Sequence, residues 1–230
     1  MKGWNWDGFW EYLFNPYLLE GAVTTLGLTA AAIVGGLVLG CLLSALRMAR
    51  SPLASGAAKA YIWIFRGTPL LVQLIIIYTG LPQLGIKFSV IESALLGLIL
   101  NEAAYLAEII RSGILGVSAG QSSAARALGL SSFQVMAYIV LPQAIRIIIP
   151  ALGNSVNGLL KTTSVCSVIS MEELLRKTQI LIQEKFMVLE LFAVAALYYL
   201  LMTSIWDIVQ RRIERRFGRA YKNITLSETR

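Results

Sequence analysis

Two ionisable residues, Glu102 and Lys161, each lie inside a long apolar run. A charge deep in a bilayer is costly unless it faces a bundle interior or a partner. Counted at about 1.5 Å per residue, Glu102 is about 14 Å in from Arg111, and Lys161 is about 22 Å in from Arg146. Both depths fall within a hydrocarbon core of about 30 Å. Thr162 and Thr163 follow Lys161 directly, and Thr68 stands before Pro69 in an earlier run. An opposed carboxylate and ammonium in a low dielectric could bind a dipolar solute, gate ions, relay protons or simply neutralise one another. We therefore take Thr68, Glu102, Lys161, Thr162 and Thr163 as the candidate solute-binding set.

Other chemistries are excluded by what the chain lacks. It has no histidine, which removes histidine acid–base catalysis, proton switching and imidazole metal ligands, and no metal site is expected. Cys41 and Cys166 each sit in apolar runs and read as small buried residues. A phosphate-cradling loop needs Gly-Lys-Ser/Thr, but the lysines followed by Ser or Thr are Lys161 and Lys177, preceded by Leu160 and Arg176. No cofactor is expected on this chain.

The elements that must position the set are membrane spans. The composition is 57% hydrophobic and 14% charged with net charge +7, where a soluble domain carries about 25% charged residues. Residues 1–20 hold Trp4, Trp6, Phe9, Trp10, Tyr12, Phe14 and Tyr17. They read as a retained interfacial aromatic segment rather than a cleavable signal. Gly21–Leu46 then runs 26 residues without a charge, enough for a first span. Further spans are expected at about 62–81, 91–110, 147–169 and 188–210, with a polar loop at 112–146 and a tail at 217–230. Glu108, three residues before Arg111, suits a helix ion pair. The fold class expected is an all-α membrane protein of five spans.

The loop carries its own folding instructions. Ser118 with Gln121 and Ser131 with Gln134 have capping-box spacing, so two short helices should start there. Gly129 suits a left-handed stop between them. Pro142 should end the second helix by Leu141 and can open a third. Ala124, Ala125 and Ala127 keep the first helix slim, as a docking element requires.

Fourteen Lys and Arg fall on the side of this loop and the C-terminus, against five on the other side. The excess of basic residues on the cytoplasmic side of membrane proteins then puts the N-terminus outside and the loop and C-terminus in the cytoplasm.

From Gly120 the sequence GQSSAARALGLSSFQVMAYIVLPQA resembles the cytoplasmic EAA loop of binding-protein-dependent ABC importer permeases. That pattern is Glu-Ala-Ala, three residues, Gly, nine residues, Ile-x-Leu-Pro. Ala124, Ala125, Gly129, Ile139, Leu141 and Pro142 fall in register, and Ser123 stands where the family has Glu. The runs FRGTPLLVQ from Phe65, AYLAEIIRSGI from Ala104 and LLKTTS from Leu159 are similar to the polar amino-acid uptake class.

The resemblance implies a multi-pass permease of the bacterial inner membrane whose loop, the coupling helix, docks on a cytoplasmic ABC ATPase that holds ATP and Mg. Ser123, Ala124, Ala125, Arg126 and Gly129 are the coupling set it implies. It also implies a second permease subunit, identical or similar, and a periplasmic solute-binding protein. An opposed Glu102 and Lys161 would suit a zwitterionic amino acid.

Three other readings use the same residues. The helix, glycine turn and helix with Arg126 also suits DNA binding, but flanking spans keep it from a groove, so no nucleic-acid partner is expected. A membrane enzyme lacks a nucleophile cluster. A channel or proton-coupled secondary transporter could use Glu102 and Lys161. The orientation is tested by single cysteines at Gln83 and at Ser118 in a background without Cys41 and Cys166. In intact cells a membrane-impermeant thiol reagent should label Gln83→Cys alone, and external labelling of Ser118→Cys would reverse the topology.

Overall fold

The structure is a computed structural model that describes the backbone of residues 4–225 and the side chains of residues 4–217. Lys2, Arg219, Lys222 and Arg230, which entered the charge count, lie outside the described side chains, as does most of the expected tail. Every described element is helical. The order is α1 (Trp6–Leu13), α2 (Pro16–Arg47), α3 (Pro52–Gly67), α4 (Leu70–Ile75), α5 (Val90–Leu115), α6 (Ala119–Ala127), α7 (Ser132–Gln134), α8 (Leu141–Thr162), α9 (Leu174–Lys185) and α10 (Val188–Thr225).

Among the described residues, four stretches are long and apolar enough to cross a membrane, and a fifth span arises if α3 and the α4 region are taken together. That fifth span departs from the continuous helix expected at 62–81. α3 begins ten residues earlier, stops at Gly67, and the chain turns by 102° before α4 continues toward Leu84. The cause is Pro69, which disfavours helical geometry at Thr68 (φ −119°, ψ 144°) and has no amide to give the helix.

The α8 span also differs from expectation. α7 does not end in a turn before Pro142. It passes through a π-helical stretch, Val135–Val140, directly into α8, with Pro142 in the first turn of α8. The wider winding absorbs the missing donor, so α7 and α8 form one continuous rod. The last helix, α10, runs to Thr225, past the expected stop at 210, because its arginines are helix formers rather than breakers.

Packing centres on α5, which lies along α2 and is flanked by α3 and α8. A methyl group at Gly40 would meet Leu106 Cβ at 3.0 Å and the Ala103 carbonyl at 3.2 Å, so the two backbones approach as only glycine permits. At the end far from the loop, α9 caps α2 and α10 and is half-buried rather than a free surface helix. Fully buried Glu173 caps its N-terminus, accepting from the Leu175 and Arg176 amides at 3.0 and 2.8 Å and from the Tyr199 hydroxyl at 2.9 Å. Burial pushes the Glu173 carboxyl above its ordinary range, against the pull of those donors. Lys177 pairs with Glu20 at 2.8 Å and lies over the Tyr17 ring, clamping the same corner.

The tight seam sets up a contrast between two glycines of α2. Gly40→Val should destabilise the protein by about 1–3 kcal/mol through overpacking. Gly27→Val, where no atom lies within 4 Å of a new Cβ, should leave the unfolding temperature in detergent nearly unchanged. Equal shifts for the two would refute the close-approach account.

Candidate functional site

The break between α3 and α4 is held open by two amide side chains. The Gln73 amide donates to the Phe65 carbonyl at 3.0 Å, the Thr68 carbonyl at 3.1 Å and the Thr68 hydroxyl at 2.8 Å. Asn101, from α5, donates to the same Phe65 carbonyl at 3.1 Å and to the Gln73 side-chain oxygen at 3.0 Å. Backbone carbonyls released by a broken helix inside a membrane need such partners, since lipid supplies none. Gln73 is buried, so its amide acts as a fixed strut.

Beside this strut lies a cavity of about 540 Å³. Its walls come from three places: Arg66, Gly67, Thr68, Pro69 and Leu70 at the break; Asn101, Glu102 and Tyr105 from α5; and Ser155, Gly158, Leu159 and Thr162 from α8. The α8 residues recur at helical spacing, which puts them on one face. Glu102 is 7% exposed, and its Oε1 has no hydrogen-bond partner. A buried carboxylate oxygen without a donor is costly, and Ser155 lines the same cavity.

Of the expected solute-binding set, Thr68, Glu102 and Thr162 meet at this cavity. Lys161 and Thr163 do not. Successive residues on a helix point about 100° apart, so when Thr162 faces the cavity Lys161 turns toward α10. Its ammonium donates to the Asn157 side-chain oxygen at 3.2 Å, and Asn157 donates to Asp207 at 2.7 Å. Thr163 is buried with its hydroxyl on the Leu160 carbonyl. The opposed Glu102–Lys161 pair is therefore absent from the structure.

The cation at the cavity is Arg66, near the start of the span expected at 62–81 and outside the expected solute-binding set. Its guanidinium lies over the Tyr105 ring, 5.3 Å from the centroid. It also borders two further cavities, of about 440 and 410 Å³, both of which reach Glu108. Glu108 makes the expected pair with Arg111 at 2.8 Å and a second with Arg47 at 2.9 Å. The second pair joins α2 to α5 where the spans meet the loop. The signal that could have singled out Arg66 was its place just before Gly67, Thr68 and Pro69, since an arginine at a helix break points into the gap.

In the loop, Gly129 has φ +86°, the left-handed value expected for the stop between α6 and α7. Ser131 and Gln134 form a complete capping box, whereas Ser118 makes no side-chain cap, and the Gln121 side-chain oxygen accepts from Gln143 of α8. Ala125 is buried against Val135 and Val140, so it holds the loop together rather than facing outward. Ser123, Ala124, Arg126 and Gly129 are exposed. Leu128 and Phe133, 82% and 78% exposed, give the loop an apolar surface that the sequence reading missed.

Residues 32–219 match the family described as the binding-protein-dependent transport system inner membrane component. The chain belongs to this family. It is 40% identical over 217 residues to the probable amino-acid ABC transporter permease protein YckA of Bacillus subtilis, covering 91% of this chain and 96% of that one. It is 36% identical over 214 residues to the glutamine transport system permease protein GlnP of Escherichia coli K12, covering 92% and 97%. A crystal structure of an amino acid ABC transporter with histidines superposes with a TM-score of 0.89 at 35% identity, covering 94% of this chain and all of that one.

The amide strut makes the cavity testable. Gln73→Leu and Asn101→Leu should each cost about 1–3 kcal/mol by leaving buried carbonyls or amides unpaired. Thr162→Val, on the cavity wall, should cost about 1 kcal/mol or less. Thermal unfolding of the purified protein in detergent measures the difference, and equal losses at all three positions would reject the strut.

Proposed function

We propose that this chain is the membrane-spanning permease subunit of an ATP-driven importer that translocates a polar amino acid or amino-acid derivative. The observation that carries the reading is the intramembrane cavity beside a broken helix, with a buried carboxylate oxygen that lacks a donor. Unwound backbone at membrane depth is tolerated where it lines a cavity, and transporters place their solutes at such breaks. The amino-acid relatives described above support the solute class. Family membership favours this reading over a channel or proton-coupled carrier.

The remaining parts of the machine follow from the same reading. A separate cytoplasmic ATPase would carry ATP and Mg and receive the loop, and a periplasmic binding protein would deliver the solute. A second permease subunit would complete the path, and the N-terminus would lie outside with the loop inside. Support for loop docking comes from the exposed surface of Ala124, Leu128 and Phe133 on a rigidly capped turn. Movement of the docked loop would pass along α5 and α8 to the cavity walls.

Reconstitution of the permease with its ATPase and binding protein tests the function directly. ATP-dependent uptake of an amino acid is expected, whereas ATP-independent ion currents would overturn the reading. Leu128→Asp, which puts a charge on the exposed apolar surface, should reduce co-purification of the ATPase at least tenfold while the permease still inserts. Gly129→Val should do the same by forcing a β-branched residue toward positive φ. Normal assembly of both variants would remove the loop from the interface.

A further inference from the structure

A basic cluster lies on the loop side of the helix break, where α2, α3 and α5 meet. Lys59, Ile62, Trp63 and Arg66 recur along α3 at i, i+3, i+4 and i+7, which puts them on one face of the helix. With Arg47 from the end of α2 and Glu108 from α5, that face borders a cavity of about 440 Å³. Small ligands occupy sites of about 300–1,000 Å³. Three cations and one carboxylate line this one. The carboxylate is already engaged, since its two oxygens accept from Arg47 at 2.9 Å and from Arg111 at 2.8 Å. Lys59 and Arg66 make none of the ion pairs found among the described residues, so the cavity carries an excess of positive charge.

An occupant that neutralises this excess must be anionic. Trp63 is 77% exposed at the rim, and a tryptophan among basic side chains near the end of a span marks the headgroup level of a bilayer. A second copy of the chain is a poor source of the negative charge. On the loop side of the described residues its other acids are Asp207 and Glu214, which accept from Asn157 and Gln210 of their own chain at 2.7 and 2.8 Å. Apart from buried Glu102, the remaining described acids fall between residues 7 and 20, at Glu92 or between residues 172 and 190, all at the opposite end. We propose that the cavity binds the phosphodiester head group of an anionic membrane phospholipid, with Arg47, Lys59 and Arg66 around the phosphate and an acyl chain along Trp63. Basic pockets between membrane helices select such head groups by charge, and guanidinium groups pair with phosphate oxygens through parallel hydrogen bonds. α3 packs on α2 and α5, so a lipid seated in the cleft ties the first arm of the broken span to the clamp at Glu108. The site depends on the level of the cavity in the bilayer and not on which solute the permease carries.

The test titrates the purified permease–ATPase complex in detergent with phosphatidylglycerol or phosphatidylcholine and reads bound lipid by native mass spectrometry. Phosphatidylglycerol should bind about tenfold more tightly or better. Lys59→Gln should weaken it about fivefold, the loss of one cation near a lipid surface, and Lys59→Arg should keep the affinity. Arg50→Gln removes the same charge on the same side but outside the cavity, and should change the affinity less than about twofold. Phosphatidylglycerol should also raise the unfolding temperature of the unaltered complex, and raise it less for Lys59→Gln. Equal binding of the two lipids, or equal losses from Lys59→Gln and Arg50→Gln, would overturn the site. Displacement of the lipid by millimolar inorganic phosphate would assign the cavity to a free anion and reject the lipid. Disulfide crosslinking of two permease subunits through the Lys59→Cys variant, in a background without Cys41 and Cys166, would give the face to a second copy and reject it as well.

Discussion

A helix that breaks inside a bilayer exposes carbonyls that nothing in the lipid can satisfy, and the rest of this structure is arranged around meeting that demand. Pro69 causes the break, and the Gln73 and Asn101 amides close it by sharing the Phe65 carbonyl. Because Asn101 belongs to α5, the repair ties the break to the helix at the centre of the bundle. The next residue on that helix is Glu102, so the strut that makes the gap stable also fixes the carboxylate at its edge.

Charge in the membrane is distributed by the same logic of need. Glu108 takes two guanidinium groups, Arg47 and Arg111, where α2 and α5 approach the loop. Lys161 shares a polar chain with Asn157 and Asp207 between α8 and α10. Those charges are satisfied within the chain and serve as ties between helices. Arg66 makes none of the ion pairs found among the described residues and lies against the Tyr105 ring at the edge of the cavity instead.

The loop and the cavity are joined by two rigid elements. α5 enters the loop at Leu115 and carries Asn101, Glu102 and Tyr105, while α8 leaves it continuously from α7 and carries Ser155 and Thr162. The π-helical stretch just before Pro142 matters here, since a true turn would uncouple the loop from α8. With a continuous rod on one side and a glycine-packed helix on the other, a displacement at the loop reaches both cavity walls.

Local chemistry was legible in the sequence where a residue's effect is confined to its own turn. Gly129 at positive φ, the Ser131–Gln134 cap and the Glu108–Arg111 pair each follow from backbone rules spanning three or four residues. The apolar runs likewise gave four of the spans, because bilayer thickness fixes their length. Depth, however, does not specify direction. Lys161 and Thr162 are adjacent in depth, yet one faces α10 and the other the cavity, and only helix packing sets that rotation. The same holds for Ala125, which has the size of a docking residue but is turned inward onto Val135. The sequence by itself determined a multi-pass bundle, its loop and the carboxylate at depth. The tertiary structure decided which residues share the cavity with that carboxylate, because Arg66 and Thr68 reach it only through a 102° break held by an amide 28 residues away from Gln73.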